Sequence, residues 1–599
     1  MSTVKLSDYV MQFVAEQGVK HVFMLPGGGA MHLNESLGRR TDIEFVCNLH
    51  EQAAAIAAEA CAKITNELSV AMVTTGPGGT NAVTGVASAW LDSMPCLVLS
   101  GQVKRDDLKR DSGVRILGVQ EIDIVSIVDS ITKYAVTIED PSTIRYHLEK
   151  AVYLALDGRR GPVWIDIPLD VQAAQIDPTR LPGFSLPVQK GQANLSAQVG
   201  ELIGLLRSSE RTVVVAGTGI RAAGAVSEFR QAVESLHVPV LTTWLGMDLI
   251  PEDHPLFAGR PGSIAPRGAN FALQNSDLML VIGSRLDMAL TGYAHDKLAR
   301  SAVKVIVDVD EAEIRKMKTT VHLPVVADAG AFLRELNRQL GESPVPRHDD
   351  WVERCQGWKR RYPVVQPEYR ELREGVSTYC LSEAISEELG SEDIVASGSS
   401  GAGVELFLLA FQVKENQRVL HSRGLGAMGF GLPASIGACI GSGRRRTVCV
   451  DGDGSFQMNI QELETVRRLQ LPIKFFVINN NGYASIRSSQ GNYFQHLVAA
   501  DPSSGLTLPD VKAVARAYGV TALSITSQQD LRQQVRAVLE TPGPVVCEVL
   551  APSAEERAPR LSSMQRPDGS MVSKPLEDLR PFLDREEFHS NMIIPALED

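Results

Sequence analysis

The chain has 599 residues, of which 44% are hydrophobic and 22% are charged, which is enough apolar material for several folded domains. Its net charge of −12 offers no basic surface to neutralise phosphates, which argues against non-specific binding of nucleic acids. No apolar run approaches the roughly 20 residues of a membrane span, and the amphipathic amino-terminal stretch lacks the continuous apolar region of a signal peptide.

The first segment, to about residue 180, alternates predicted helices with short apolar strands. The predicted strands cover residues 21–25, 45–49, 70–74, 96–100 and 163–167. Strands that alternate with helices form a mostly parallel sheet that is covered on both faces. Residues 1–180 are therefore predicted to be one doubly wound α/β domain.

Two polar, proline-bearing stretches divide the rest of the chain. Residues 181–192 are predicted to be a linker, and a second α/β series follows over 193–340. The second stretch, at 341–350, precedes a third α/β segment over 365–550, and a charged tail occupies 551–599. The predicted architecture is thus three doubly wound α/β domains followed by a tail.

The eight cysteines predict a reducing compartment. They form no C-x-x-C pair, and most of them lie in apolar segments. We therefore expect reduced core residues in a cytoplasmic protein.

The third segment contains one strand–helix–strand unit with an oxygen-rich loop after each strand. The first strand, at 448–450, leads into GDGS (452–455), and a helix is predicted over 460–469. The second strand, at 473–478, ends on NNNG (479–482). Both loops should lie at the carboxyl edge of the sheet, where doubly wound proteins bind ligands.

These two loops carry the groups that a metal-bound diphosphate needs. Asp453 supplies a carboxylate and Asn480 an amide oxygen, which are hard ligands suited to magnesium. Gly454 and Ser455 offer N–H groups and a hydroxyl at a helix start, where a phosphate is favoured. A GDG sequence alone could equally be an ordinary strand-to-helix turn.

The two motifs together resemble the signature of thiamine diphosphate (ThDP) enzymes. In that family the aspartate of GDGS and the second asparagine bind magnesium, and here positions 453 and 480 are 27 residues apart. The resemblance implies that Mg²⁺ is bound by Asp453, Asn480 and the carbonyl oxygen of Gly482. It also implies that the ThDP diphosphate is bound by Gly452, Gly454 and Ser455.

Glu51 opens a predicted helix in the first domain, within LHEQAAA (49–55). A glutamate at a helix start also interacts favourably with the helix dipole, and alone it would need no further role. ThDP enzymes, however, place a buried glutamate at this helix start against the aminopyrimidine ring of the cofactor. The resemblance therefore implies that Glu51 is the catalytic acid–base residue, whereas His50 is interpreted as local packing.

Two further loops of the first domain resemble active-site loops of acetolactate-synthase-like enzymes. PGGGAMH (26–32) is similar to their PGG loop, and GVQE (118–121) is similar to their FQE segment, with Val119 in place of the phenylalanine. The resemblance implies that Gly28 and Gln120 approach the substrate.

A third-domain loop, GLGAMGFGLP (424–433), resembles the one that shapes the cofactor in these enzymes. The resemblance implies that Met428 wedges ThDP into its bent conformation and that the carbonyl oxygen of Gly426 accepts a hydrogen bond from its amino group. A lone methionine at an apolar position is otherwise core filler.

The middle domain resembles the flavin-binding domain of acetohydroxyacid synthases. The resemblance implies FAD bound by Gly217, Arg221, Arg285 and Asp308, in a structural rather than a redox role. Leu286 departs from the usual RFDDR sequence. The alternative is a domain without flavin.

The activity implied by the resemblance begins with decarboxylation of pyruvate or a related 2-keto acid, and the two-carbon, acetyl-level unit then passes to an acceptor ketone. Simple decarboxylation is less favoured, because the first domain has no adjacent His-His pair. Ile486 also stands where pyruvate decarboxylases place a glutamate. A non-catalytic homologue is a further alternative, which the presence of Glu51, Asp453 and Asn480 disfavours.

The acceptor is predicted from Arg487, which stands where acetohydroxyacid synthases have a tryptophan that selects a second keto acid. Together with residues 568–578, it resembles the flavin-containing carboligases of yersiniose-type branched-sugar formation. This predicts a nucleotide-linked keto-deoxy sugar as acceptor, oriented by Arg487. One alternative acceptor is a second pyruvate, as in acetolactate synthase. The alternatives for Arg487 are that it points to solvent, pairs with an acid at the subunit interface, or binds the donor carboxylate.

The expected assembly is a homodimer or homotetramer. Glu51 and the diphosphate loops lie in different domains, and the resemblance implies that these domains meet between two subunits. No nucleic-acid or membrane partner is expected.

Overall fold

The computed structural model describes residues 3–187, 194–398, 401–565 and 571–597. These residues form three α/β domains, each built on a six-stranded parallel sheet, which confirms the predicted fold class. The domain bounds inferred from the sequence stay predictions. The predicted linker at 181–192 and the run at 568–578 lie partly outside the described residues.

The first domain carries the first sheet and seven helices. Its strands are β1 (Val4–Lys5), β2 (His21–Met24), β3 (Glu44–Cys47), β4 (Ser69–Val73), β5 (Cys96–Gln102), β6 (Ala135–Thr137), β7 (Val163–Pro168) and β8 (Gln175–Ile176). Its helices are α1 (Leu6–Glu16), α2 (Met31–Gly38), α3 (Glu51–Thr65), α4 (Pro77–Leu91), α5 (Ile124–Val128), α6 (Ile144–Leu156) and α7 (Leu169–Ala173). The sequence predicted five of these strands to within three residues at each end.

The central domain follows with the second sheet. Its strands are β9 (Thr212–Ala216), β10 (Val240–Thr242), β11 (Phe257–Gly259), β12 (Leu278–Ile282), β13 (Val303–Asp308) and β14 (Leu323–Val326). Its helices, with one that leads out of it, are α8 (Leu195–Ser208), α9 (Gly219–Ala222), α10 (Val226–Leu236), α11 (Arg267–Gln274), α12 (Glu311–Arg315), α13 (Ala329–Glu342) and α14 (Asp349–Arg361).

The third domain and the tail complete the described chain. The strands are β15 (Ile394–Ser397), β16 (Arg418–Leu420), β17 (Thr447–Gly452), β18 (Ile473–Asn479), β19 (Thr521–Ile525), β20 (Val545–Leu550), β21 (Ser563–Gln565) and β22 (Met571–Ser573). The helices are α15 (Thr378–Glu388), α16 (Ala402–Ala410), α17 (Gly431–Gly441), α18 (Asp453–Phe456), α19 (Leu463–Arg468), α20 (Ala484–Phe494), α21 (Val511–Ala517), α22 (Leu531–Glu540) and α23 (Arg585–Asn591). The single helix predicted over 460–469 is a 3₁₀ turn, Gln457–Glu462, followed by α19.

Strand order shows where each sheet can bind a ligand. The first sheet runs β3-β2-β4-β5-β7-β6 and the third runs β16-β15-β17-β18-β20-β19, which is the same topology. The central sheet runs β11-β10-β9-β12-β13-β14, the order of dinucleotide-binding folds. The order reverses between β2 and β4, between β9 and β12, and between β15 and β17. Ligands bind at such switch points, and three of the predicted site loops, PGGG, GDGS and the one with Gly217, follow β2, β17 and β9.

The first and third domains pack together through α3 and α17. A Cβ on Gly437 would come within 2.0 Å of the carbonyl oxygen of Ala57, so only glycine permits this approach of the two helices. Ala54, Ala58 and Ile436 are buried in the same apolar core. Helix α3 is therefore held at a fixed position relative to the third sheet.

The carboxyl-terminal tail folds back onto the central domain. Phe588 of α23 is buried in the same core as Phe271 and Trp358. The Trp358 indole N–H donates to Asn591 Oδ1 at 2.8 Å, and Arg300 forms a 2.7 Å ion pair with Glu577. The charged composition of the tail did not predict this docking.

Phe588→Ala is expected to destabilise the central domain by about 3 kcal/mol, because it leaves a cavity in a packed aromatic core. Phe588 is 5% exposed, whereas Phe582 on the same tail is 47% exposed and serves as the matched control. Thermal melting of both variants is the measurement. Equal loss of stability in Phe588→Ala and Phe582→Ala would show that the tail is not anchored through Phe588.

Candidate active site

The GDGS and NNNG loops lie side by side at the carboxyl edge of the third sheet. Asp453, the first residue of α18, is buried, and its carboxylate accepts N–H groups from Gly454 at 2.8 Å and Gly482 at 3.0 Å. Because Gly482 belongs to the second loop, Asp453 joins the two loops. Burial raises the pKa of Asp453 to about 6. A cation at this carboxylate would stabilise its charged form.

Asn480 presents a buried oxygen without a partner. Its Oδ1 atom has no hydrogen bond within the described structure, although buried polar atoms are normally satisfied. This oxygen, the Asp453 carboxylate and the Gly482 carbonyl fit the oxygen ligand set of Mg²⁺. No cluster of three His, Cys, Asp or Glu side chains suited to a metal occurs among the described residues.

Backbone conformation keeps the two loops in close contact. Asn481 and Gly482 have φ angles of +61° and +122°, in the left-handed region that favours glycine. A Cβ on Gly482 would come within 2.5 Å of the Ala500 carbonyl oxygen, and one on Gly454 would lie 2.2 Å from the Tyr483 ring. Both glycines are therefore required by the packing.

The loop that contains Gly426 and Met428 is hydrogen-bonded to the GDGS turn. The Gly429 N–H donates to Ser455 Oγ at 2.9 Å, and Asn459 Nδ2 donates to the Gly429 carbonyl oxygen at 2.7 Å. Met428, one residue earlier, is half-buried. The structure thus brings the predicted pyrimidine loop beside the predicted diphosphate loop. The Ser455 hydroxyl is engaged by the protein, and its contact with phosphate stays a prediction.

Arg487 lies against the backbone of the metal loop. Its guanidinium donates to the carbonyl oxygens of Asn480 at 2.6 Å, Asn481 at 2.8 Å and Ser553 at 2.8 Å. These bonds tie the NNNG loop to the beginning of the tail. A role of Arg487 toward the acceptor stays a prediction, and three of its five N–H donors are already used.

Glu51 begins α3 and is buried beside α4. Asn81 Nδ2 donates to Glu51 Oε2 at 3.0 Å. His50 is the N-cap residue, and its Nδ1 atom accepts the N–H of Gln52 at 3.1 Å. This cap supports the interpretation of His50 as local packing and leaves Glu51 as the acidic group at the helix start.

The loops after β2 and β4 interlock next to Glu51. A Cβ on Gly27 or Gly78 would come within 2.5 or 2.8 Å of the Thr74 side chain, so the two glycine loops wrap around this threonine. A Cβ on Gly78 would also lie 3.8 Å from Glu51 Oε1. Gly28 itself is exposed, with open space where a side chain would be. The predicted substrate loop and the predicted acid therefore share one sheet edge.

Gln120 lies at the same edge. Its side chain is exposed, and its φ angle of +64° places the backbone in the left-handed region. The Gln120 carbonyl oxygen lies 3.2 Å from the Thr75 hydroxyl, which belongs to the loop after β4. Neighbouring Val119 is 86% exposed.

Hydrogen bonds join the two domains close to these groups. Glu462, after the GDGS turn, accepts the Asn48 side-chain N–H at 3.0 Å and the Leu49 N–H at 2.8 Å. Within the described ranges, Glu51 has no hydrogen bond or ion pair with the GDGS or NNNG loop.

Known proteins resemble this chain over most of its length. Three family models match the chain: "Thiamine pyrophosphate enzyme, N-terminal TPP binding domain" over 4–127, the central domain over 199–336, and the "C-terminal TPP binding domain" over 400–549. Acetolactate synthase 3, chloroplastic, of Brassica napus is 32% identical over 574 residues, covering 93% of this chain and 85% of the relative. The acetolactate synthase large subunit of Cyanidium caldarium is 30% identical over 576 residues, covering 94% and 96%.

The chain belongs to the acetolactate synthase-like family of ThDP enzymes. Thiamine pyrophosphate and thiamine diphosphate are the same compound, and the two TPP-binding matches fall on the two domains with the same strand order. The enzyme is accordingly a ThDP-dependent carboligase by family. Among the described residues, no helix has the length and apolar character that a membrane crossing requires.

A cavity of about 920 Å³ lies at the switch point of this enzyme's central sheet. Arg285 and Asp308 line it together with residues of the first and third domains. Arg285 Nη1 donates to the Leu91 carbonyl oxygen at 2.7 Å, and burial raises the pKa of Asp308. The volume lies in the range of cofactor sites.

The other two predicted flavin residues have different positions. A Cβ on Gly217 would come within 2.1 Å of the Gly283 carbonyl oxygen, so Gly217 allows the loops after β9 and β12 to pack closely. Arg221 does not line the cavity, because its Nη2 atom forms a 2.9 Å ion pair with buried Asp248. Its contact with a flavin stays a prediction.

A buried ion pair that the sequence did not reveal links the cavity to the cofactor loop. Lys63 of α3 lies 2.9 Å from Asp92, and Asp92 also accepts the Gly424 N–H at 2.9 Å. Asp92 lines the same 920 Å³ cavity. Charged residues at the ends of helices are usually solvated, so a single sequence offered no signal for this contact.

Proposed function

We propose that the enzyme decarboxylates pyruvate with Mg²⁺ and ThDP and joins the two-carbon unit to a second pyruvate, forming acetolactate. The observation that carries the proposal is the oxygen set at the third sheet edge, where Asp453 bonds to the NNNG loop that also presents the unpartnered Asn480 oxygen. Two relatives matched over at least 93% of this chain are named acetolactate synthases, which supports the second pyruvate as acceptor.

In this proposal the third domain binds the cofactor. Asp453, Asn480 and the Gly482 carbonyl would hold Mg²⁺. The N–H groups of the GDGS turn, at Gly452, Gly454 and Ser455, would face the diphosphate, and Gly426 and Met428 would contact the pyrimidine side. ThDP, when bound there, would supply a nucleophilic carbon and an electron sink for the bonding pair that stays behind when carbon dioxide leaves the keto acid.

Glu51 would hold and move the proton that activates the cofactor. The Asn81 amide holds one carboxylate oxygen at 3.0 Å, which orients the group at the start of α3. Carboligation also requires that water and stray protons are kept away from the reacting carbon. Ile486, in the first turn of α20, brings an apolar side chain rather than an acid next to the NNNG loop.

We propose a homodimer, or a homotetramer built from it, as the active form. Exposed apolar side chains occur on both surfaces that would meet. In the first domain they are Val114, Ile116, Leu117 and Val119, and in the third domain they are Tyr493, Phe494 and Val498. Apolar patches of this kind mark interaction sites. Burying them against a second copy would remove this apolar surface from water.

We propose FAD as the occupant of the central cavity, in a structural role. The strand order is that of dinucleotide-binding folds, and Arg285 offers a cation at the switch point. Asp308 ends β13 at the same cavity, where a carboxylate could accept hydrogen bonds from a ribose.

A nucleotide-linked keto-deoxy sugar is the second candidate acceptor. Arg487 in place of an aromatic residue removes one wall of a pocket for a small alkyl group, which favours a polar acceptor. The guanidinium is, however, hydrogen-bonded to three carbonyl oxygens, which limits what it can offer to a ligand. We therefore place the second pyruvate first.

Product analysis with alternative acceptors tests the proposal. Purified enzyme with Mg²⁺ and ThDP is given pyruvate alone, pyruvate with 2-ketobutyrate, or pyruvate with a nucleotide-linked keto-deoxy sugar. We expect pyruvate alone to yield acetolactate. Product formation with the sugar as acceptor should be no faster than this reaction. Product with the sugar only would establish the second candidate, and acetaldehyde as sole product would indicate a simple decarboxylase.

A further inference from the structure

Gln102, the last residue of β5, is buried behind two of the active-site loops with 2% of its surface exposed. Its Oε1 atom accepts the Thr75 hydroxyl at 2.8 Å and the Val103 N–H at 3.0 Å. Its Nε2 atom donates to the Ile122 carbonyl oxygen at 2.9 Å and to Asp166 Oδ2 at 3.1 Å. A side-chain amide has two donors and two acceptor sites, so the orientation of Gln102 is fully determined.

Asp166 on β7 holds the Gln102 amide from the interior of the domain. The Asp166 carboxylate is almost fully buried and also accepts the hydroxyls of Ser100 at 2.5 Å and Thr137 at 3.0 Å. These donors come from β5 and β6, the two strands that flank β7 in the sheet. Asp166 is therefore fixed, and it fixes Gln102 in turn.

Gln102 is linked to the backbone around Gln120 through two contacts. The Thr75 hydroxyl that contacts Gln102 also lies 3.2 Å from the Gln120 carbonyl oxygen. Two residues after Gln120, the Ile122 carbonyl oxygen accepts a hydrogen bond directly from the Gln102 side chain. Gln120 has a φ angle of +64°, a conformation that residues other than glycine adopt only when their surroundings enforce it. A Cβ on Gly76 would come within 2.4 Å of the Gln120 carbonyl oxygen.

We propose that Gln102 is a positioning residue for the donor keto acid: it holds residues 120–122 so that the Gln120 side chain stays at the substrate site. This inference rests on the proposed function. Gln102 itself is buried and does not touch the substrate. Its effect therefore passes through the backbone of the segment that it holds.

Gln102→Glu tests the proposal, because glutamate keeps the two accepting contacts and loses the two donors to Ile122 and Asp166. We expect the KM for pyruvate to rise about tenfold, since small displacements of substrate-positioning groups have large effects. The kcat should change less than the KM, and the Mg²⁺–ThDP dissociation constant, measured by equilibrium binding, should not change. Amide hydrogen exchange over residues 118–122 should become faster.

Gln274→Glu is the matched control. Gln274 is a buried glutamine of the central domain whose Nε2 atom donates to the buried Glu577 carboxylate at 2.7 Å. Gln274→Glu therefore places two buried carboxyl groups side by side, as Gln102→Glu does with Asp166. It should lower the melting temperature without raising the KM for pyruvate. Thr75 provides a second test, because its hydroxyl contacts both Gln102 and Gln120. Thr75→Val, which removes the hydroxyl, should raise the KM for pyruvate more than Thr75→Ser, which keeps it.

The proposal would be overturned if Gln102→Glu left both the KM for pyruvate and the hydrogen exchange unchanged and lowered the melting temperature only as much as Gln274→Glu does. Should Gln102→Glu not fold, equal KM values for Thr75→Val and Thr75→Ser would overturn it instead. If the wild-type enzyme did not use pyruvate, the proposed function would be wrong, but the proposed role of Gln102 would not be affected. In that case hydrogen exchange over 118–122 still decides whether Gln102 holds the segment.

Discussion

Glu51→Gln is expected to lower the kcat of carboligation by at least about a hundredfold, the usual cost of losing acid–base help. The amide keeps the size of the side chain and can still bond to Asn81, so the start of α3 should keep its structure. It cannot hold and release a proton at the carboxylate position. Binding of Mg²⁺ and ThDP should be unchanged, because the proposed ligands of both lie in the third domain.

Glu59→Gln is the matched control for this change. Glu59 is a fully buried glutamate on the same helix, paired with Lys63 at 2.7 Å, and among the described residues it has no hydrogen bond or ion pair with the predicted site loops. Its substitution should affect stability and leave the kcat near that of the wild type. Near wild-type carboligation by Glu51→Gln would remove Glu51 from its catalytic role.

Asp453→Ala is expected to abolish binding of Mg²⁺ and ThDP at concentrations that saturate the wild type. The change removes the one charged ligand of the proposed metal site and the acceptor that joins the two loops. Isothermal titration of Mg²⁺ and ThDP into the variant is the measurement. Asp393→Asn, at the opposite edge of the same sheet and paired with Arg446 at 2.6 Å, should bind normally.

The same carboxylate predicts a pH dependence of binding. Burial raises the pKa of Asp453 to about 6, so below that pH most of the apo enzyme carries a proton where the cation must bind. Affinity for Mg²⁺ and ThDP should therefore fall as the pH is lowered through 6 and level off above it. Two results would contradict the assignment of Asp453 as a metal ligand. One is an Asp453→Ala variant that binds Mg²⁺ and ThDP as tightly as the wild type. The other is a wild-type enzyme whose affinity for Mg²⁺ and ThDP does not change from pH 5 to 8.

The sequence predicted the third-domain site because its information is local. Asp453 and Asn480 are fixed by two loops of one strand–helix–strand unit, and parallel strands bring such loops together in any doubly wound sheet. For the same reason, Glu51 at a helix start after β3 could be placed from a short motif. These predictions required no knowledge of contacts between distant residues.

Contacts between distant elements were not predictable from one sequence. Arg487 was expected to face an acceptor, yet its guanidinium lies against three carbonyl oxygens, one of them 66 residues away at Ser553. Gln102 offered one signal, a polar side chain as the last residue of an apolar strand. Its partner Asp166 is 64 residues away, and only the sheet brings the two together.

Carbon accounting with purified enzyme, Mg²⁺, ThDP and isotopically labelled pyruvate decides whether the chain is a carboligase that uses two keto acids. We expect carbon dioxide and acetolactate in equal amounts, with pyruvate consumed in twice that amount. Omitting ThDP, or replacing Glu51 with glutamine, should suppress both products together. Carbon dioxide released with an equal amount of acetaldehyde, or no ThDP-dependent release at all, would contradict this account.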